Sequence, residues 1–113
     1  MGKKSRTKGA AFERVACKIF SLFWPFVSRN LKQYQRSDGR DFDGTEPISI
    51  QAKWHKKITA GVIKKALAEA QSACDADYRY YAAITKEDGE EPIFHMPAKD
   101  LVEWQCLIED GEL

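Results

Sequence analysis

Apolar positions along this chain change spacing several times, and each change marks an element. From about Lys8 to Phe23, the residues Phe12, Val15, Ala16, Ile19 and Phe23 recur at helical spacing, and Pro25 closes the segment. This predicts a helix with that stripe inward and Glu13 beside it. Residues 26–35 (FVSRNLKQYQ) fit a strand, and Ser37, Asp38 and Gly39 form a turn into the strand or bend that holds Asp41. Ile48 to Trp54 is expected to be the central strand. Thr59 caps a helix reaching about Cys74, with Ile63, Ala66, Leu67, Ala70 and Cys74 inward and Lys64 and Lys65 outward. Tyr80 to Thr85 and Pro92 to Met96 read as two more strands joined by the acidic turn KEDGE, and Pro97 starts a last helix through Leu107. No internal repeat or low-complexity tract interrupts this order, which predicts a mixed α/β fold.

Length and composition add bounds to this pattern. A chain of 113 residues, 43% hydrophobic, is long enough for one domain with its own core, expected over residues 8–113 after a flexible basic arm at 1–7. Cys17, Cys74 and Cys106 make no CxxC pair and leave one cysteine odd, which points to reduced intracellular thiols. The basic start imitates a signal peptide, but Glu13, Arg14 and Lys18 interrupt every apolar core it offers, so a cytoplasmic protein with no membrane partner is expected. The net charge of +1 hides a strong polarity: residues 1–65 hold 15 Lys/Arg against 5 Asp/Glu, whereas residues 86–113 hold 2 against 9. Phosphate would be drawn to the first half only, unless the two blocks neutralise each other in the fold.

The chemistry concentrates in RDFDGTEPISIQAK, Arg40 to Lys53. Side chains alternate across a strand, so Gln51 and Lys53 project from one face. A hard divalent ion, Mg²⁺ or Mn²⁺, takes oxygen ligands, and Asp41, the Gln51 amide and the Ala52 backbone carbonyl offer three. Lys53 would then stand beside the site as a cation for developing phosphate charge. Asp43 is a further candidate ligand, since it shares a face with Asp41 if the strand continues. This set suits a metal-dependent phosphodiesterase.

Several segments in order resemble the PD-(D/E)XK nucleases, in particular small phage-type Holliday-junction-resolvase-like endonucleases. These are the helix GAAFERVACKIF with its glutamate, the DFDG turn, the strand ISIQAK, the Ala-rich KKALAEAQ, then YYAAI and PIFHMP. The resemblance covers most of the chain. It implies a restriction-endonuclease-like core, a mixed central sheet flanked by helices in the order αβββαββα, and a phage or bacterial setting. Carried over by position, Glu13 is the helix-borne acid, a second possible ligand, Asp41 the central metal ligand and Lys53 the family lysine. Gln51 departs from the commoner Glu. That leaves the site one negative charge poorer and implies weaker metal binding.

The resemblance implies a divalent-metal-dependent DNA endonuclease, selective for branched DNA. Lys3, Lys4, Arg6, Lys8, Arg36, Arg40, Lys56, Lys57 and Lys64 are the expected backbone contacts. Cutting two strands symmetrically needs two sites and hence a C₂ homodimer, for which the apolar run Phe20 to Phe26 and the surroundings of Trp104 are candidate surfaces. The rival reading is a catalytically inactive nucleic-acid-binding module of the same fold, with Gln51 as its chief evidence. His55 and His95 are expected at the surface rather than in the site, and the aromatics mainly in the core.

Overall fold

The apolar spacing resolves into three helices and five strands among the described residues. In chain order they are α1 (Lys3–Phe20), β1 (Ser28–Arg29), β2 (Phe42–Asp43), β3 (Ile48–His55), α2 (Ala60–Ser72), β4 (Tyr80–Glu87), β5 (Ile93–His95) and α3 (Ala98–Glu109). The structure, a computed structural model, describes residues 3–31 and 39–112, without the side chains of residues 3–7. The molecule is an α/β fold with a mixed sheet: β3 and β4 run parallel, β5 lies antiparallel to β4, and the order is β3-β4-β5. β1 and β2 form a separate antiparallel ladder pairing Ser28 with Asp43 and Arg29 with Phe42.

The parallel pair is the centre because both of its faces are covered. Ile48, Ile50, Tyr80, Ala82 and Ile84 are buried with Phe12, Ala16 and Phe20 of α1. The alternate residues turn to α2, where Ser49 Oγ donates to the Ala70 carbonyl at 2.8 Å. β3 alternates cleanly, with Ile48, Ile50, Ala52 and Trp54 in or against the core that α1 covers and Ser49 and Lys53 turned to α2. α2 starts at its Thr59 cap, whose side chain accepts from the Val62 N–H, and buries Ala66 and Ala70, small enough to bring the helix close to the strands. α3 buries no residue fully, although Trp104 and Leu107 pack against the core.

Four expectations change. β3, expected to be the central strand, lies at the edge of its sheet, because β4 pairs with both β3 and β5 and takes the middle. α1 already begins at Lys3, so its backbone runs through most of the expected flexible arm. Its buried line is Phe12, Ala16 and Phe20, with Glu13 also inward, while Val15, Ile19 and Phe23 are exposed. The buried face is rotated towards Glu13 because that side chain meets Arg29 of β1, and the helix ends before Phe23 can join its stripe. Finally, the strand expected over residues 26–35 is only Ser28–Arg29 within the described residues; positions 32–38, including Ser37 and Asp38 of the expected turn, lie outside them.

The DFDG turn is held from several sides. Trp24 Nε1 donates to the Glu46 carbonyl at 3.0 Å, the Gly44 N–H donates to the Tyr78 hydroxyl at 3.1 Å, and Thr45 Oγ1 donates to the Ile48 carbonyl at 2.7 Å. Gly44 has φ +82°, and a Cβ built there falls 2.4 Å from the Phe26 carbonyl oxygen. Only glycine satisfies both constraints. Gly89 has a similar φ of +79° with open space around it. Chemical denaturation should therefore show Gly44→Ala losing at least about 2 kcal/mol and Gly89→Ala about 1, since only the first adds a backbone collision to the strain. Equal losses would mean that Phe26 yields freely.

Candidate active site at the free edge of β3

Asp41 occupies the bend before β2 and is 7% exposed. Its backbone carbonyl accepts from the Asn30 N–H at 2.9 Å, and its Oδ2 accepts from the Ala52 N–H at 2.7 Å. That second bond ties the β1–β2 ladder to β3. It also orients the strand. The N–H and C=O of a strand residue project to the same edge, so the Ala52 carbonyl faces Asp41 and not β4. Gln51 is buried and its Nε2 reaches the Gly39 carbonyl at 3.5 Å, a weak contact that leaves its amide oxygen uncommitted there. The Asp41 carboxylate and the Ala52 backbone thus share one edge of β3, and the Gln51 side chain leaves the neighbouring face towards Gly39.

The flanking charges come from both helices. On the α1 side, Glu13 is buried and Arg29 Nε donates to its Oε1 at 3.0 Å. On the α2 side, Lys53 Nζ lies 3.0 Å from Glu69 Oε1. Burial pushes the Asp41 carboxyl from the ordinary 3.8 up to about 7; the Ala52 N–H opposes this, Glu13 and Glu69 raise it further, and Lys53 lowers it. A carboxyl so destabilised as an anion gains when a cation arrives.

Glu69 is the residue that sequence reasoning missed. It precedes Ala70, whose methyl is buried against the sheet, so helical geometry leaves Glu69 at the margin of the covered face, beside Lys53. Helical periodicity holds a faint signal for it, but nothing in the sequence pairs it with Lys53. Gln71, the glutamine of the same segment, is exposed and lines a different groove with Ile63 and Tyr81. The Asp43 carboxylate, half exposed, faces Arg40 Nε at 3.7 Å, whereas that of Asp41 accepts from Ala52. Among the described residues no three His, Cys, Asp or Glu side chains converge as a metal-holding group. The donor set that remains, one carboxylate, one amide and one backbone carbonyl, fits a hard cation held weakly and partly by water.

The expected DNA contacts divide. Lys3, Lys4 and Arg6 have side chains outside the described residues, as does Arg36 entirely. Lys8 Nζ pairs with Asp88 at 2.7 Å and sits 4.9 Å from the Trp54 ring centre, a link between the basic and acidic blocks. Arg40 is used inside the fold. Its guanidinium stacks 3.8 Å from the Tyr78 ring centre and donates to the Ala73 carbonyl at the end of α2, with Asp75 3.4 Å away. Lys56, Lys57 and Lys64 are exposed. Beyond Lys53, a cleft of about 390 Å³ opens between the end of β3 and the start of α2, lined by Lys53, His55, Thr59, Gly61, Val62 and Lys65. His55 thus borders the cleft, while His95 lies elsewhere with its Nε2 2.7 Å from Thr85 Oγ1.

The raised Asp41 carboxyl makes a pH-dependent prediction for the metal-free protein. An acid whose folded pKa lies above its unfolded value stabilises the fold below about pH 4, and that contribution is lost as pH rises through about 7. Asp41→Asn, which keeps an acceptor for Ala52, should raise stability by roughly 2 kcal/mol at pH 8 and by nothing near pH 4, as urea unfolding at both pH values would show. A gain independent of pH would place the Asp41 carboxyl in contact with water. The chain matches no protein-family model, no curated protein and no solved structure.

Proposed function

We propose that the protein is a divalent-metal-dependent endonuclease that hydrolyses DNA phosphodiester bonds, selective for branched DNA, on a restriction-endonuclease-like core. The observation that carries this reading is the Asp41 carboxylate held at the open edge of β3, with the Ala52 carbonyl turned towards it and Lys53 on the adjoining face. The element order α1-β1-β2-β3-α2-β4-β5-α3 supports the same core. Asp41, the Gln51 amide oxygen and the Ala52 carbonyl would hold Mg²⁺ or Mn²⁺. Such an ion, when bound, supplies positive charge for the phosphate and a lower pKa for the attacking water. Lys53 neutralises charge that builds on the phosphate oxygens, a role that needs a fixed cation. Glu69 keeps its ammonium from swinging into solvent. Glu13, tied to Arg29, adds negative potential from the far side without being spent on a surface lysine.

The cleft beyond Lys53 leads the DNA backbone to this edge. Lys65 and His55 line it, and the exposed Lys56 and Lys57 lie beside it. A phosphate there would also meet the positive end of α2. The inactive binding module draws support from two observations: Lys53 is already paired with Glu69, and the donor set contains a single committed carboxylate. It shares the cleft but predicts no chemistry.

A labelled four-way junction and a matched linear duplex, incubated with Mg²⁺, Mn²⁺ or EDTA, separate the two. Metal-dependent cleavage is expected, stronger on the junction, with Asp41→Asn and Lys53→Ala each slowing it at least about 100-fold while DNA affinity changes little. Binding that ignores metal and both substitutions, with no cleavage, would establish the module instead.

A further inference from the structure

A second groove runs along the other side of α2. It lies between that helix and the end of β5, holds about 620 Å³ and shares no lining residue with the cleft at Lys53. Ile63, Leu67, Met96 and Pro97 give it an apolar lining, Tyr81 adds a half-buried ring, and the exposed Lys64 and Gln71 supply polar groups. A volume of this size holds a small planar ligand. Among the described residues, no ring or cation packs on Tyr81 and no carboxylate lines the groove. His95 also borders it, but its Nε2 lies 2.7 Å from Thr85 Oγ1 and burial holds the imidazole below its usual range, so Lys64 is the cation of the groove.

Charge indicates the occupant. Lys8, Arg40 and Lys53 each have an acid within ion-pair distance, whereas Lys56, Lys57, Lys64 and Lys65 have none among the described residues. Those four lie just before α2 or in its first half. Lys64 and Lys65 are consecutive, yet one lines this groove and the other the Lys53 cleft, so together they straddle the helix. A polyanion that leaves the cleft across α2 therefore meets one unneutralised ammonium after another and arrives beside Tyr81. A duplex keeps its bases paired and stacked inside. An unpaired strand can instead lay a base on a protein ring while a lysine takes the phosphate, and this groove offers both, with an amide for the edge of the base.

We propose that this groove takes an unpaired base of the DNA strand that leaves the Lys53 cleft, with Tyr81 stacking on the base, Gln71 reaching its edge and Lys64 holding the adjoining phosphate. The substrate class is then branched DNA with a single-stranded arm. The proposal rests on the reading that DNA is the substrate, but its test needs no cleavage. In EDTA, fluorescence anisotropy should show a duplex with an unpaired thymidine arm bound about 10-fold or more tightly than the same duplex with blunt ends. Lys64→Glu, at an exposed position, and Tyr81→Ala should each remove that preference and leave the blunt duplex bound as before, whereas Tyr81→Phe, which keeps the ring, should retain it. An arm carrying iodouracil, irradiated in the complex, should cross-link to the peptide that contains Tyr81. Equal affinity for armed and blunt duplexes, a preference that survives Lys64→Glu, or a cross-link outside the groove would overturn the assignment. Metal-dependent cleavage with no arm preference would sink the groove alone; an arm preference lost in both variants, with no cleavage under any metal, would uphold the groove and sink the catalytic reading.

Discussion

The parallel pairing of β3 with β4 constrains everything else in this molecule. With α1 over one face and α2 over the other, the pair has no open face on which to build a site. Only the unpaired edge of β3 and the strand ends remain. The Asp41 carboxylate takes that edge by accepting the Ala52 N–H, and it performs two tasks with one bond. It satisfies a backbone donor that would otherwise lie unpaired at the margin of the core, and it anchors the β1–β2 ladder beside the sheet.

Electrostatics around this bond is balanced rather than neutral. Asp41 is desolvated, and its ionised form is disfavoured by two acids arriving from opposite helices. Each of those acids has its own cation, Arg29 for Glu13 and Lys53 for Glu69. The pairs differ in burial. Glu13 is nearly inaccessible, so its ion pair resembles a fixed part of the scaffold, whereas the Lys53–Glu69 pair is partly open and can exchange partners at lower cost. A cleft that begins at Lys53 therefore meets a cation that is held in place but not locked.

The same small size explains the apolar surface on the other side. A three-stranded sheet with two helices on its faces leaves α3 with little to bury, and only Trp104 and Leu107 reach the core. Residues of α1 that a larger domain would cover stay open. The charge blocks seen along the chain meet in space where Lys8 of the basic block pairs with Asp88 of the acidic one.

Local pattern was enough for the elements whose cause is local. The Thr59 cap, the Ile48 strand, the acidic turn between β4 and β5 and the start of α3 after Pro97 follow from residue type and spacing, and the parity of Gln51 and Lys53 follows from the strand itself. Spacing also singled out Asp41, because a carboxylate in a glycine turn before that strand is locally conspicuous. It did not separate Asp41 from Asp43, since both fit one strand face until Arg40 claims Asp43. Nor did it identify Glu69, the inward rotation of α1 towards Glu13, or the use of Arg40 on Tyr78 and the end of α2. Those outcomes depend on partners 16 to 38 positions away in the sequence, which come into contact only when the strand is enclosed between its helices. The sequence by itself determined the elements and the acid–lysine spacing; the tertiary structure decided which charges meet, because ion pairs and desolvation are set by distance in space.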